Sequence, residues 1–468
     1  MQNYLNMTLI KSISGIRGTI GGKAGDNLTP IDLLKFSTAY GSWIKQRNPG
    51  KKVKVVVGRD ARKSGAMVNR IVVGALQSIG IDVVDLELST TPTVEIAVPM
   101  EKADGGIILT ASHNPKMWNA LKLLNEKGEF ISAEDGAEVL EIAENAEITF
   151  AEVDDLGSYR TDDSYLEKHI AHILALDLVD VAAITKRDFT VVVDAVNSTG
   201  GIFVPALLRS IGVKNIIELY CEPNGEFPHN PEPLPENLGA ISEAVKNHKA
   251  DLGIVVDPDV DRLALVTEDG EMFGEEYTLV AVADYVLQHT KGNTVSNLSS
   301  TRALRDVTEA HGCEYTASAV GEVNVVNQMK AVNAVIGGEG NGGIIYPAAH
   351  YGRDALVGIA LFLSHLAKYE GGSSSQLKKE YNAYSISKNK IQLDETIDVD
   401  ALLKKVENKY SKNPINTIDG VKIEFEESWV HLRKSNTEPI IRLYAESATK
   451  EKADVLAAEV MEEIKKMI

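Results

Sequence analysis

A strand–loop–helix–strand unit recurs along the first three quarters of the chain, and no other feature restricts the fold as strongly. Val55-Val-Val-Gly-Arg-Asp60 leads into a helix-like stretch ending Leu76-Gln-Ser-Ile-Gly80, then the strand-like Ile81-Asp-Val-Val-Asp-Leu86. Val191-Val-Val-Asp194 precedes Leu208-Arg-Ser-Ile-Gly212 and Val213-Lys-Asn-Ile-Ile-Glu-Leu219 in the same order. A fainter third copy runs Leu304-Arg-Asp-Val-Thr-Glu-Ala-His-Gly312 into Cys313-Glu-Tyr-Thr316. This is the grammar of α/β units with parallel strands. A chain of 468 residues is also too long for one core, and length alone suggests about three or four domains.

The last part of the chain is written differently. Val421-Lys-Ile-Glu-Phe425, Trp429-Val-His-Leu-Arg433 and Ile440-Ile-Arg-Leu-Tyr444 alternate like antiparallel strands. A final helix carries Leu456, Val460, Ile464 and Met467 on one face, so a smaller α+β unit is expected from about residue 385. Near the start, Thr29 caps, Pro30 opens and Asp32 sits in the first turn of a helix presenting Leu33, Phe36, Tyr40 and Trp43. The proline-rich stretch from Cys221 to Pro235 suits an ordered loop that braces domains.

A formal charge of −19 argues against nucleic acid and anionic membranes as partners, though local arginines can still hold a small anion. No apolar run reaches the ~20 residues of a membrane span. The N-terminus lacks a basic-then-apolar signal, and the two cysteines, Cys221 and Cys313, have neither disulfide-framework nor metal-ligand spacing. The expected location is the cytoplasm.

Two loops carry the chemistry. Thr110-Ala-Ser-His-Asn-Pro115 puts a hydroxyl at the end of the apolar run Gly106-Ile-Ile-Leu-Thr110, with His113 and Asn114 beside it. Taken alone, Ser112 fits a turn or helix cap as well as a nucleophile. Asp257-Pro-Asp-Val-Asp-Arg262 follows the apolar Leu252-Gly-Ile-Val-Val256. Alternate residues of an extended segment face one side, so Asp257, Asp259 and Asp261 can converge on one hard cation. A calcium loop would need glycine where Arg262 stands, although Glu268 falls at its twelfth position; a solvated acidic turn is the plainer alternative. A serine that carries phosphoryl beside Mg²⁺ accounts for both loops together.

Three further segments fit that reading. Arg433-Lys-Ser-Asn-Thr-Glu-Pro439, with Arg442 beyond, is a phosphate cradle or a polar hairpin turn. Gly337-Gly-Glu-Gly-Asn-Gly-Gly343 lets backbone approach a ligand and supplies Glu339 and Asn341 for sugar-type hydrogen bonds, but lacks the dinucleotide spacing. Ser14-Gly-Ile-Arg-Gly18 places Arg17 between glycines, and Lys122 would serve as acid or base if its pKa were lowered.

These five motifs, in this order, resemble the α-D-phosphohexomutase family over essentially the whole chain. The resemblance implies three similar α/β domains with mixed sheets and a smaller C-terminal α+β domain around a central cleft. The division is then 1–157 with the phosphoserine loop, 158–270 with the metal loop, 271–384 with the sugar loop and 385–468 with the phosphate loop. It implies Ser112 as the phosphorylated residue, joined by Asp257, Asp259 and Asp261 in holding Mg²⁺. His113, Lys122, Arg17 and Arg262 would attend the transfer. Gly338, Glu339 and Asn341 would meet the sugar, and Arg433, Ser435, Asn436, Thr437 and Arg442 its distal phosphate.

The implied activity is the interconversion of hexose 6- and 1-phosphates through a hexose 1,6-bisphosphate, by a monomer or homodimer. A serine-type metallophosphatase and a non-catalytic sugar-phosphate-binding protein are the other classes. The Ser-Gly-Ile-Arg-Gly opening resembles the phosphoglucosamine mutase branch and points to glucosamine phosphate, with glucose or mannose phosphate as the alternative. The sugar loop departs from the family's usual Gly-Glu-x-Ser-Gly-His: here it is Gly338-Glu-Gly-Asn-Gly-Gly343. His350 is the nearest histidine to replace the missing one, and Ala120 stands where glycine is usual.

Overall fold

The computed structural model describes residues 7–12, 15–394, 397–434 and 440–467. The repeat is threefold, and in each copy a final antiparallel strand is added to the edge of a parallel trio. In the first unit the strands Gly105–Leu109, Lys54–Arg59 and Asp82–Leu88 are parallel neighbours. Trp118–Leu124 returns antiparallel beside Gly105–Leu109. In the second, Leu252–Val256, Thr190–Asp194 and Asn215–Leu219 are parallel and Leu263–Thr267 returns antiparallel. In the third, Ile336–Glu339, Thr294–Asn297 and Tyr315–Ser318 are parallel and Gly343–Ile345 returns.

The faint third copy therefore has the same strand order as the other two. The first sheet is widened to seven strands by Gly15–Thr19 and Ile10–Ser12 at one edge and Tyr159–Thr161 at the other. In all three units the turn between the last parallel strand and its antiparallel partner carries a motif read from the sequence: the serine loop, the aspartate loop and the glycine-rich loop. A strand end is the one place where the backbone leaves the ladder and a side chain can face a ligand without breaking sheet hydrogen bonds.

The helix Pro30–Arg47 begins as expected, with Thr29 N donating to Asp32 Oδ2 at 3.0 Å. Leu33, Phe36, Tyr40 and Trp43 all lie in the first core. The second and third units share a single continuous core, which includes Leu263, Ile344 and most of the helix Ala355–Lys368. The first and fourth units have cores of their own. The aspartate and glycine-rich loops thus flank one shared core.

The fourth unit is a five-stranded antiparallel sheet, Ser385–Gln392, Ile440–Ser447, Trp429–Lys434, Val421–Glu424 and Ile415–Asn416, backed by the helix Lys450–Lys465. Many of its contacts with the third unit are polar: Arg302 N to Glu446 Oε1 at 3.1 Å, Lys422 Nζ to the Leu298 carbonyl at 2.9 Å, and Val320 N to Asp419 Oδ2 at 2.9 Å.

The proline-rich segment braces the first two units. Glu226 pairs with Lys63 and, at 3.0 Å, with Lys116, while Arg62 lies over the Phe227 ring. Cys221 and Cys313 are free thiols. No helix among the described residues is long and apolar enough to cross a membrane.

Candidate active site

The three equivalent turns converge on one cleft of about 660 Å³. Its walls include Arg17, Ser112, His113 and Lys122 from the first unit, Arg262 from the second, and Glu322, Glu339 and Arg353 from the third.

Ser112 stands at the end of Gly105–Leu109 with φ of +48°, a left-handed conformation uncommon for serine. Its amide donates to Thr110 Oγ1 at 2.9 Å, and that hydroxyl donates to the buried Asp60 at 2.7 Å. Arg62, 1% exposed, holds the loop from below. Its Nε donates to Asp60 at 2.9 Å, and its remaining nitrogens donate to the carbonyls of Ser112, Asn114 (2.7 Å), Pro115 (2.8 Å) and Trp118 (3.2 Å). The loop conformation that lifts the serine is thus set by one buried guanidinium.

The hydroxyl points at the aspartates: Ser112 Oγ donates to Asp257 Oδ2 at 2.8 Å. Asp257, Asp259 and Asp261 are fully buried and bring one carboxylate oxygen each within 4.8 Å of the others. Val260 between them has φ of +64°, a costly conformation for a β-branched residue that persists only where surrounding structure enforces it.

The outer oxygens of the triad are held. Asp259 Oδ2 accepts from Thr91 Oγ1 (2.5 Å) and Lys122 Nζ (2.7 Å), and Asp261 Oδ2 from Arg353 Nη2 (2.6 Å). Asp259 Oδ1 and Asp261 Oδ1 are buried without a hydrogen-bond partner. Burial, followed by the charges of Asp259 and Asp261, pushes the Asp257 carboxyl well above the usual range. Burial acts in the same sense on Asp261, but Arg353, Lys122 and Arg262 outweigh it and hold that carboxyl low. Orphaned, all-oxygen, mutually repelling donors fit a hard divalent cation such as Mg²⁺.

Lys122 differs from the condition set for it by the sequence. Burial lowers its pKa, but Asp259 and Asp261 overcompensate, and the net direction is upward. The ammonium form is favoured. His113 Nδ1 lies 3.5 Å from Ser112 Oγ; burial, then the Arg262 charge, drop its pKa to about 3, leaving a neutral ring. Arg17 faces Ala120 across the strand pair. Its pKa is lowered by burial and then by the like charge of Arg442 from the fourth unit. Arg433 sits opposite Arg442 in the strand pair and is tied to Asp419 at 2.8 Å. Ser435, Asn436 and Thr437 lie outside the described residues.

The glycine-rich loop is divided. Glu339 lines the cleft, whereas Gly338 and Asn341 are not among its lining residues; the Asn341 side chain accepts from Gly343 N at 3.2 Å. His350 is likewise absent from the lining and hydrogen-bonds Asp354 Oδ2 at 3.1 Å. Arg62, Thr91, Glu322 and Arg353 were not singled out by sequence alone. The first follows the strand-ending Gly58-Arg-Asp60 by two positions, and the last immediately precedes the helix cap Asp354.

Four family models match the chain in order. They are the phosphoglucomutase/phosphomannomutase alpha/beta/alpha domains I (residues 9–149), II (167–270) and III (274–384) and the C-terminal domain (389–463). A phosphoglucomutase/phosphomannomutase of Thermococcus kodakarensis is 37% identical, the match covering 93% of this chain and 95% of that one. A probable phosphoglucosamine mutase of Methanopyrus kandleri is 31% identical over 97% of each. The crystal structure of a putative phosphomannomutase from Thermus thermophilus superposes with a TM-score of 0.82 at 26% identity, covering 98% of this chain and 99% of that one.

Proposed function

The chain belongs to the phosphoglucomutase/phosphomannomutase family, and on that premise we propose that it interconverts hexose 6-phosphate and hexose 1-phosphate through phosphorylated Ser112 and a hexose 1,6-bisphosphate. Membership makes it an isomerase that transfers phosphate intramolecularly. The observation that carries the finer reading is the Ser112 hydroxyl, 2.8 Å from Asp257 at the edge of a buried triad with two unpartnered oxygens. We keep the division at 157/158, 270/271 and 384/385, with one working loop per unit.

In this reading the sugar hydroxyl attacks the phosphorus on Ser112, the Oγ–P bond breaks, the hydroxyl proton passes to the departing Ser112 Oγ, and a bisphosphate forms. After the intermediate reverses its ends, Ser112 Oγ attacks the other phosphoryl group and the sugar oxygen leaves. Lys122 enters as an ammonium, so it is suited to protonate that leaving oxygen; in the opposite direction it takes the proton back. Arg17 and Arg262 offset charge on the transferring group, and Glu339 accepts from sugar hydroxyls. Arg433, Ser435, Asn436, Thr437 and Arg442 hold the phosphate that is not reacting. Asp257, Asp259 and Asp261, with a phosphoryl oxygen on Ser112, would hold Mg²⁺, which when bound supplies charge neutralisation for the transfer.

Glucosamine phosphate is the proposed sugar, supported by the Ser-Gly-Ile-Arg-Gly opening and by the name of the Methanopyrus relative. Glucose or mannose phosphate is the second reading, favoured by the name of the more similar Thermococcus relative. The test is a coupled assay of all three 6-phosphates with a bisphosphate activator. Wild type should turn over at least one with no net phosphate release, glucosamine 6-phosphate with the highest kcat/KM, and Ser112→Ala should turn over none while keeping its circular dichroism. Turnover by Ser112→Ala would reject the phosphoserine.

A further inference from the structure

Arg353 is the buried hub between the metal and sugar loops. It is 8% exposed, and each of its side-chain nitrogens serves a different carboxylate. Nε donates to Glu322 Oε2 at 3.0 Å, Nη1 to Glu339 Oε2 at 2.9 Å and Nη2 to Asp261 Oδ2 at 2.6 Å. Its amide adds a bond to Glu322 Oε1 at 2.9 Å. The backbone next to it is fixed to both loops as well: Asp354 N donates to the Ile344 carbonyl at 2.8 Å and Ala355 N to the Val260 carbonyl at 3.2 Å. Asp354 then caps the helix Ala355–Lys368, so the arginine projects from the start of a rigid element.

Gly343 explains why this arrangement is possible. A Cβ at that position would lie 2.3 Å from Arg353 Cδ and 3.1 Å from Cγ. The stem of the arginine fills the room that a side chain at the end of the glycine-rich loop would need, and three anchored nitrogens prevent it from moving aside. The glycine and the arginine are two halves of one packing solution. Asn297 Nδ2 and Gly321 N complete the cage by donating to Glu339 Oε1 at 2.9 and 3.2 Å. Glu339 is thereby held in one rotamer facing the cleft.

We propose that Arg353 is the positioning residue that sets sugar-loop and metal-loop geometry together, so that hexose binding and divalent-cation affinity are coupled through a single guanidinium. Glu339 is oriented by Nη1 and the Asp261 carboxylate is fixed in place by Nη2. Lysine cannot reproduce this, because one ammonium is a point charge without a planar three-way fork. The inference rests on the proposed hexose-phosphate reading for its sugar arm, but the cation arm stands without it.

The experiment compares wild type, Arg353→Lys, Glu339→Gln and the double variant, with Gly343→Ala as a perturbation that removes no charge. Mg²⁺ binding is measured by calorimetry in the absence of sugar, and KM and kcat by the coupled assay. Arg353→Lys and Gly343→Ala should each weaken Mg²⁺ binding about tenfold and raise the sugar-phosphate KM by a similar factor. Losses of kcat/KM should reach roughly 100-fold, as expected for ångström-scale misplacement. In sugar-phosphate KM at saturating Mg²⁺, the double variant should lose little more than Glu339→Gln alone, because the two residues act as a unit toward the sugar. Unchanged Mg²⁺ affinity in both Arg353→Lys and Gly343→Ala, or multiplicative losses in the double variant, would overturn the proposal. If Arg353→Lys does not fold, Gly343→Ala decides. Wild type that binds Mg²⁺ but turns over no hexose phosphate would reject the proposed function, while the calorimetric comparison still judges Arg353.

Discussion

Replacing Arg62 by lysine should separate the geometry of the serine loop from its chemistry. Arg62 touches neither the Ser112 hydroxyl nor the triad, yet it donates five side-chain hydrogen bonds, one to Asp60 and four to carbonyls between residues 112 and 118. Lysine keeps the charge but has three donors on one nitrogen, so at least two of those bonds disappear from a site where water does not reach. Bonds involving a charged partner contribute about 1.5–3 kcal/mol each, and for two of them a cost of about 3–6 kcal/mol follows. Retaining the cation beside Asp60 avoids the larger penalty of an unpaired buried carboxylate.

Such a loss should lower the first unit's unfolding temperature by roughly 10 °C. Because Ser112 holds a left-handed backbone that the carbonyl clamp enforces, the relaxed loop should misplace its Oγ by about an ångström and reduce kcat on the order of 100-fold. KM should change little. Calorimetric melting gives the first quantity, and intact-mass measurement of Ser112 phosphorylation by a hexose bisphosphate gives the rate of loading. A variant that melts lower but loads and turns over at the wild-type rate would refute the claim that Arg62 sets the reactive geometry.

Mg²⁺ at 100 times its dissociation constant should stabilise wild type by about 2.7 kcal/mol, and Asp259→Asn/Asp261→Asn should abolish that gain in a thermal shift series. Chelation should stop turnover and fresh Mg²⁺ should restore it. Glu276, under the glycine-rich loop, has its pKa raised to about 8 chiefly by burial, against a partial offset from Lys388. A carboxyl raised in the folded state contributes stability that is full below about pH 4.5 and is lost as pH rises toward 8. Glu276→Gln should flatten that decline, whose slope is at most about 1.4 kcal/mol per pH unit. Denaturant titrations at pH 5 and 8 that show the same difference in both proteins would disprove the assignment.

What the sequence disclosed and what it withheld follow the distance over which each feature is encoded. The aspartate triplet and the serine loop are contiguous, so alternation and a preceding apolar run were enough to find them. The repeat was readable in two copies because the runs before Asp60 and Asp194 are similar. The third was faint because its first strand, Thr294–Asn297, is short and polar, although the paired strands are the same in order.

Arg62, Thr91, Glu322 and Arg353 were invisible for a different reason. Each acts on a separate segment, and nothing near it in the chain marks cleft partners 14 to 168 residues away. Asn341 shows the converse: its position in the loop suggested a ligand contact, but a short side chain two residues before a free amide closes a local turn instead. The condition attached to Lys122, a lowered pKa, is not met, because Asp259 and Asp261, which raise it, come from another unit.

Each of the three α/β sheets carries the same hairpin, and in the proposed reading the hairpins divide the work, one presenting the nucleophile, one the cation ligands and one the sugar contacts. Inheritance can therefore act on them separately. A lineage could exchange one hexose for another by editing a single turn while keeping Arg353, which ties that turn to the aspartate loop. That modularity gives a physical reason why relatives carrying several sugar names can share one scaffold from end to end.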